Sequence, residues 1–194
     1  KILEDMATIL AKTLGAKCVN FWELTPDGKS VHIAAYYGMQ PEYMEQSRLH
    51  PVALGTGWSG KAVQEKQACG SSDVLRDVTM GTVDKSYLPV VAKQGVRAIV
   101  CVPVITGDKA VGAMCIYYTT PHKSTDFEMR LATVVTNQAA TAMENARIHK
   151  ELQTRIEELE KFRKITIDRE LKMAELKKEI KELERKSPDT TPEI

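Results

Sequence analysis

Residues 97–118 read RAIVCVPVITGDKAVGAMCIYY, two runs rich in valine and isoleucine on either side of a Gly-Asp pair. β-branched residues at this density favour extended chain, and glycine followed by aspartate between two such runs supplies a tight reversal, so the stretch predicts an antiparallel hairpin. Its apolar character is nearly continuous rather than alternating, which means that both faces of the hairpin are covered. Alternation within the second run groups Ala113, Cys115 and Tyr117 on one side of their strand. Upstream, KCVNFWEL (17–24) and VHIAAYYG (31–38) flank TPDGK and predict a second hairpin around Pro-Asp-Gly turn chemistry. Before it, ILEDMATILAKTLG (2–15) places Ile2, Met6, Ile9, Leu10 and Leu14 on one helical face, with Gly15 suited to end the helix.

Between the hairpins, PEYMEQSRL (41–49) reads as a short helix opened by Pro41, and GTGWSG (55–60) leads into a helix near 61–66. GTGWSG satisfies G-x-G-x-x-G, the spacing of a dinucleotide loop. Such a loop needs a buried apolar strand before it to aim the next helix at the phosphates. Here QSRLHPVAL precedes it and leaves only Val52–Leu54 to serve, so the glycines read as a tight turn into a helix. Residues 68–81 are polar and turn-rich and predict a surface loop holding one short strand. The fold class expected is α+β, one antiparallel sheet with flanking helices, followed by a long helix.

That helix starts near Ser124, where Ser124 or Thr125 can cap it and Asp126 and Glu128 suit the positive end of its dipole. Residues 147–186 carry 23 charges in 40 positions, against 28 in the 146 residues before them. A heptad register runs through this rod: Leu152, Leu159, Thr166, Met173 and Ile180 at one core position, with Ile148, Arg155, Phe162, Arg169, Leu176 and Leu183 at the other. Pairs such as Glu157/Lys161, Glu160/Lys164, Asp168/Lys172 and Glu182/Lys186 each add about 0.2–0.5 kcal/mol. Sums that small do not hold so long a helix, so a second copy is expected to cover the seam as a parallel homodimeric coiled coil. The division expected is a head over 1–149, a rod over 150–186 and a disordered tail over 187–194, where two prolines fall.

Lys plus Arg number 27 and Asp plus Glu 26, a balance with no overall pull toward nucleic acid or anionic lipid. Acidic residues interleave through the rod, against a DNA-reading basic region. No apolar run reaches the roughly 20 residues that cross a bilayer, so the fragment is expected to be cytoplasmic with no membrane contact of its own. It opens on Lys1 rather than Met, which implies residues before it. Cys18, Cys69, Cys101 and Cys115 are irregularly spaced and three lie in strand-like runs, a pattern expected of reduced, buried thiols.

Three segments in this order, GTGWSGKAVQEKQ, then GVRAIVCVPVITGDKAVGAMCIYY, then STDFEMRLATVVTNQAATAMENARIHKEL, resemble the GAF domain, a small-molecule sensor module of signalling proteins. The resemblance runs from the first helix to about Leu152. FRKITIDRELKMAELKKEIKELE resembles the helical linkers that join such sensors to histidine kinases or other output domains. By resemblance to cyclic-nucleotide-binding members, Val19, Phe21, Tyr36, Trp58, Ser59 and Cys115 are the candidate ligand-binding positions. The N-K-x-D-E signature of those members is absent, and an acidic base contact of theirs maps to Cys115. The resemblance names no cofactor. A bilin-attaching cysteine is usually followed by His or Leu, and Cys69 is followed by Gly70. Nitric-oxide-sensing members bind iron through Asp, Cys and Arg, of which Asp84, Tyr87, Arg97 and Cys101 offer a loose echo. Free-methionine-sulfoxide reductases of the family carry a cysteine where this chain has Trp58, and no catalytic residue is expected. No C-x-x-C or H-x-x-x-H offers a metal site. The function expected is a non-enzymatic sensor that relays a bound small molecule's presence through a dimeric coiled coil. The alternatives are a redox or metal sensor using Cys101 or Cys115, or a ligand-free dimerisation module.

Overall fold

The computed structural model describes residues 1–77 and 95–186. Helix α1 (Ile2–Leu14) is followed by strands β1 (Cys18–Leu24) and β2 (Ser30–Tyr37), helix α2 (Pro41–Leu49), strand β3 (Val52–Ala53) and helix α3 (Gly57–Glu65). Strands β4 (Cys69–Ser71), β5 (Ala98–Thr106) and β6 (Lys109–Tyr118) and helix α4 (Asp126–Lys186) complete the described elements. The strands form one antiparallel sheet in the order β3-β2-β1-β6-β5-β4. The expected hairpins β1/β2 and β5/β6 therefore lie side by side, joined through β1/β6, and the very short β3 and β4 form the edges, which limits open ladder.

Local chemistry accounts for the turns. Thr25 Oγ1 donates to Asp27 Oδ1 at 2.6 Å, and the Asp27 carboxylate also accepts the Lys29 N–H at 3.1 Å, so the Pro-Asp-Gly sequence closes its own turn. Gly107 adopts φ +58° in the two-residue Gly-Asp reversal that brings Thr106 opposite Lys109. Pro103 has no N–H to give, and it lies beyond the end of β4, whose pairing with β5 stops at Cys101. Gly15 ends α1 at φ +61°, its N–H on the Ala11 carbonyl.

Both sheet faces are covered, as the continuous apolar runs require. On one face Val19, Phe21, Ala98, Met114 and Ile116 pack against Ala7 and Leu10 of α1 and Ala132, Ala139 and Met143 of α4. On the other, Trp22, Ile33, Cys101, Ala113, Cys115 and Tyr117 pack against Tyr43 and Met44 of α2 and Ala62 and Val63 of α3. The buried stripe of α1 is the expected one in part, with Leu10 buried and Met6 and Leu14 partly buried against the sheet. Ala7, Leu10 and Ala11 are buried, whereas Ile2 and Ile9 are 66% and 65% exposed, because the small alanines let the helix backbone close onto the sheet.

Helix α4 opens with a capping box. Thr125 Oγ1 accepts the Glu128 N–H at 3.2 Å while the Glu128 carboxylate accepts the Thr125 N–H at 2.7 Å. The chain divides into two compact units, Lys1–Asn145 and a second beginning at Ala146. In the second, Leu152, Leu159, Phe162, Met173, Leu176, Ile180 and Leu183 are all exposed, Phe162 by 70%. Its ion pairs include Arg147–Glu151 and Arg155–Glu158 rather than the expected Glu-to-Lys pairs at 157/161, 160/164 and 168/172. Lys186's side chain and the tail over 187–194 lie outside the described residues.

Candidate functional site

The sheet face toward α2 and α3 carries the chemistry. Asn20 and Trp22 project to it from β1, two residues apart and thus on one side of the strand. Asn20 is fully buried and Trp22 is 2% exposed. The Asn20 amide donates weakly to Met39 Sδ at 3.8 Å, while among the described residues neither its Oδ1 nor Trp22 Nε1 has a partner. An unmet buried acceptor and donor each cost about 1–3 kcal/mol, so such atoms require explanation. Among the described residues no buried side chain carries a charge; the buried polar ones are Asn20, Ser47, Ser59, Ser71 and Thr136.

The expected site residues divide between the two faces. Tyr36, Trp58, Ser59 and Cys115 belong to the α2/α3 side: Tyr36 and Trp58 are partly buried against its core, Ser59 is buried in the first turn of α3, and Cys115 is fully enclosed. Val19 and Phe21 do not join them. Both lie wholly buried on the α1/α4 face, so the expected phase of β1 is corrected by one residue. Their placement came from the resemblance, and β1, apolar toward both faces but for Asn20, gives alternation little signal to set against it. Asn20, the polar residue inside VNFW, was the available clue to the true phase.

Two further expectations are corrected or bounded. Cys101 and Cys115 are joined as a disulfide, not free thiols, because the β5/β6 register sets them directly opposite with Cα atoms 4.2 Å apart. Of the loose metal echo, Asp84 and Tyr87 lie outside the described residues, Cys101 is in the disulfide, and Arg97 grips Asp73 through two nitrogens at 2.9–3.2 Å. That pairing holds the Asp73 carboxyl below the usual carboxylate range. No group of three metal-ligating side chains occurs among the described residues.

The glycine turn has a structural account. Gly55 and Gly57 take φ +77° and +57°, and a Cβ at Gly60 would collide with the Ala53 carbonyl, so α3 crosses β3 at backbone contact. Only the two-residue edge strand β3 precedes the turn, so the parallel strand of a dinucleotide fold is not there. A second cleft, about 770 Å³ and lined by Ser71, Asp73, Arg76, Arg97 and His122 among others, is polar but internally paired. His122 Nε2 meets the Glu128 carboxylate at 2.9 Å and its ring stacks on Tyr118 at 3.8 Å.

The GAF domain family profile matches residues 1–143. This chain belongs to the GAF domain family. GAF domains are sensor modules of signalling proteins, and the sheet order and flanking helices described above are those of the family. The chain is similar in fold to the GAF domain of a phosphoenolpyruvate-protein phosphotransferase from Coxiella burnetii, with TM-score 0.66 at 14% identity over 77% of this chain and 84% of that one. It is similar to the GAF domain of an Acinetobacter phosphoenolpyruvate-protein phosphotransferase, with TM-score 0.62 at 15% identity over 75% and 82%. It also resembles a type II free methionine-R-sulfoxide reductase from Thermoplasma acidophilum, with TM-score 0.57 at 15% identity over 72% and 88%. At these identities the likeness shows the fold alone. No curated protein sequence matches the chain. No described helix is long and apolar enough to cross a membrane.

Proposed function

We propose that this GAF domain binds a small neutral molecule against the α2/α3 face of its sheet and, without catalysing a reaction, passes its bound state along α4 to an output domain such as a histidine kinase. The observation that carries the reading is the pair of buried atoms on β1 that have no partner among the described residues. Asn20 Oδ1 asks for a hydrogen-bond donor and Trp22 Nε1 for an acceptor, in a layer also bounded by Tyr36, Trp58, Ser59 and Cys115. Among the described residues that layer offers polar but no charged buried side chains, which favours an uncharged ligand.

The relay half of the proposal rests on the second unit. Leu152, Leu159, Met173 and Ile180, with Phe162, Leu176 and Leu183, expose a heptad seam that a second copy of the chain buries in a parallel coiled coil. A ligand moves such a rod only by as much as it prefers one of its packings.

Mass spectrometry of the full chain under native conditions, followed by a thermal-shift screen of uncharged amides, lactams and nucleobases, tests the binding half. The expected result is at least one compound that raises the melting temperature of the wild-type protein and leaves Asn20→Leu unmoved. Hits that shift both proteins equally, or a screen without any stabilising compound, refute it.

A further inference from the structure

Two strand pairings set three cysteines in one row across the sheet. Cys69 lies opposite Cys101 in β4/β5, and Cys101 lies opposite Cys115 in β5/β6. The row continues to Asn20 on β1 and Tyr36 on β2. In an antiparallel sheet a residue turns both of its backbone polar groups toward the same neighbour. The 4.2 Å Cα separation of Cys101 and Cys115 marks the narrow, non-hydrogen-bonded kind of pair. Cys101 therefore turns its N–H and C=O toward β4, and with Cys69 it forms the wide kind, with Cα atoms about 5.5 Å apart. That spacing is near the commonest for a disulfide. All three side chains lie on the α2/α3 face, so Cys101 has a cysteine beside it on each neighbouring strand.

The three differ in access. Cys101 and Cys115 are fully enclosed, whereas Cys69 is half-buried on the edge strand and borders a cleft of about 240 Å³ with Ser71, Ile99 and His122. Its Sγ–H donates to the Trp58 carbonyl at 3.2 Å, and burial raises its pKa to about 11, so it rests as a thiol. Cys18 stands outside the row, opposite Tyr117.

We propose that Cys69 is the exchange thiol through which the buried Cys101–Cys115 disulfide is opened and closed. The Cys69 thiolate attacks Cys101 Sγ; the Cys101–Cys115 bond breaks as the Cys69–Cys101 bond forms, and Cys115 Sγ takes the electron pair and a proton. No net oxidation accompanies this step. A soluble low-molecular-weight thiol then attacks Cys69 Sγ, releasing Cys101 as a thiol and leaving a mixed disulfide on Cys69. A second molecule of that thiol frees Cys69 and departs as the oxidised dimer. The sum is one protein disulfide reduced to two thiols and two small thiols oxidised to one small disulfide.

The full chain, purified without reductant and treated with glutathione, tests this by acid quench, alkylation and peptide mass mapping. The Cys101–Cys115 bond is expected to open at least about tenfold faster in the wild type than in Cys69→Ser, since attack from the neighbouring strand offsets the small thiolate fraction of Cys69 and the enclosed pair is closed to glutathione itself. Cys18→Ala is expected to match the wild type. Cys115→Ser treated with oxidised glutathione is expected to yield a Cys69–Cys101 linked peptide, and Cys115→Ala takes its place if the buried serine disturbs folding. Equal opening rates in wild type and Cys69→Ser, absence of the Cys69–Cys101 peptide, or four free thiols in the protein as purified would each overturn the proposal.

Discussion

Asn20→Leu is the most informative single substitution, because it predicts a gain where a buried polar residue ordinarily predicts a loss. Asn20 is fully enclosed, and among the described residues its carbonyl oxygen has no partner and its amide has a 3.8 Å contact with a thioether sulfur. Replacing the side chain with a branched apolar one removes an unmet acceptor whose desolvation costs about 1–3 kcal/mol, at the loss of one weak bond. For a chain of this length each kcal/mol moves the melting temperature by about 2–4 °C, so the ligand-free variant is expected to melt roughly 2–12 °C higher. Leucine is bulkier than asparagine and overpacking costs about 1–3 kcal/mol, so Asn20→Val is measured beside it. The assay is urea unfolding of the wild type and both variants, with thermal melts in parallel. Loss of more than about 1 kcal/mol in both variants would show that the Asn20 amide is satisfied in solution, as by a fixed water, and would remove the argument for a ligand socket.

Gly112→Ala places a Cβ inside the backbone carbonyl oxygen of Trp22, where β6 and β1 meet, and is expected to cost about 3 kcal/mol or more in urea unfolding, because backbone rather than a side-chain end must give. Gly15→Ala, at φ +61° with open space around it, is the control, expected to lose only the backbone strain of about 1–2 kcal/mol; equal or smaller loss at Gly112 contradicts the packing. Acid titration tests Asp73 and Glu128. Hydrogen bonds from Arg97 lower the Asp73 pKa; at Glu128 burial pushes upward, and hydrogen bonds from Thr125 and His122 outweigh it. Both folded values lie below the unfolded ones, so their contribution is complete above the ordinary carboxylate range and is lost as the pH falls through the folded values. Asp73→Asn and Glu128→Gln should each flatten the fall in stability below about pH 4, and an unchanged slope counts against the pairings. Light scattering of residues 1–149 beside the full chain tests the rod: a dimer is expected only with the rod present, and Phe162→Glu should weaken it.

The hairpins, the Gly15 helix end, the Thr125 cap and the order of elements were legible because each follows from chemistry within a few residues. Asp27 closes its own turn, and Thr125 and Glu128 satisfy each other three positions apart. What failed was phase. Resemblance to cyclic-nucleotide-binding members sent Val19 and Phe21 to the wrong face and β1, apolar on both sides, offered no clear alternation against it, while α1 turns Ala7 and Ala11 to the sheet beside Leu10 and exposes Ile2 and Ile9. Irregular spacing of the four cysteines said nothing of which stood opposite one another. That is decided by register between strands far apart in sequence.

Register also ties the disulfide to the proposed binding face. Asn20 stands directly opposite Cys115 across β1 and β6. With Cys115 held in the disulfide, Asn20 Oδ1 is free for a ligand's donor; once Cys115 is a thiol, its S–H is a weak donor set opposite the same acceptor. Reduction and ligand then compete for one oxygen. A hydrogen bond worth about 0.5–1.5 kcal/mol net implies that reduction weakens a donor ligand by roughly 2–12-fold. By linkage the ligand must favour the oxidised pair by the same factor, so the glutathione ratio that half-opens the disulfide shifts when ligand is present. The measurement is the affinity of a thermal-shift hit for oxidised and fully reduced protein, with Cys115→Ala as the reduced-like form lacking the donor. Weaker binding to the reduced wild type, with Cys115→Ala as tight as the oxidised protein, is expected. Equal affinity in all three would separate the cysteine row from the ligand face and leave the two as independent features of one sheet.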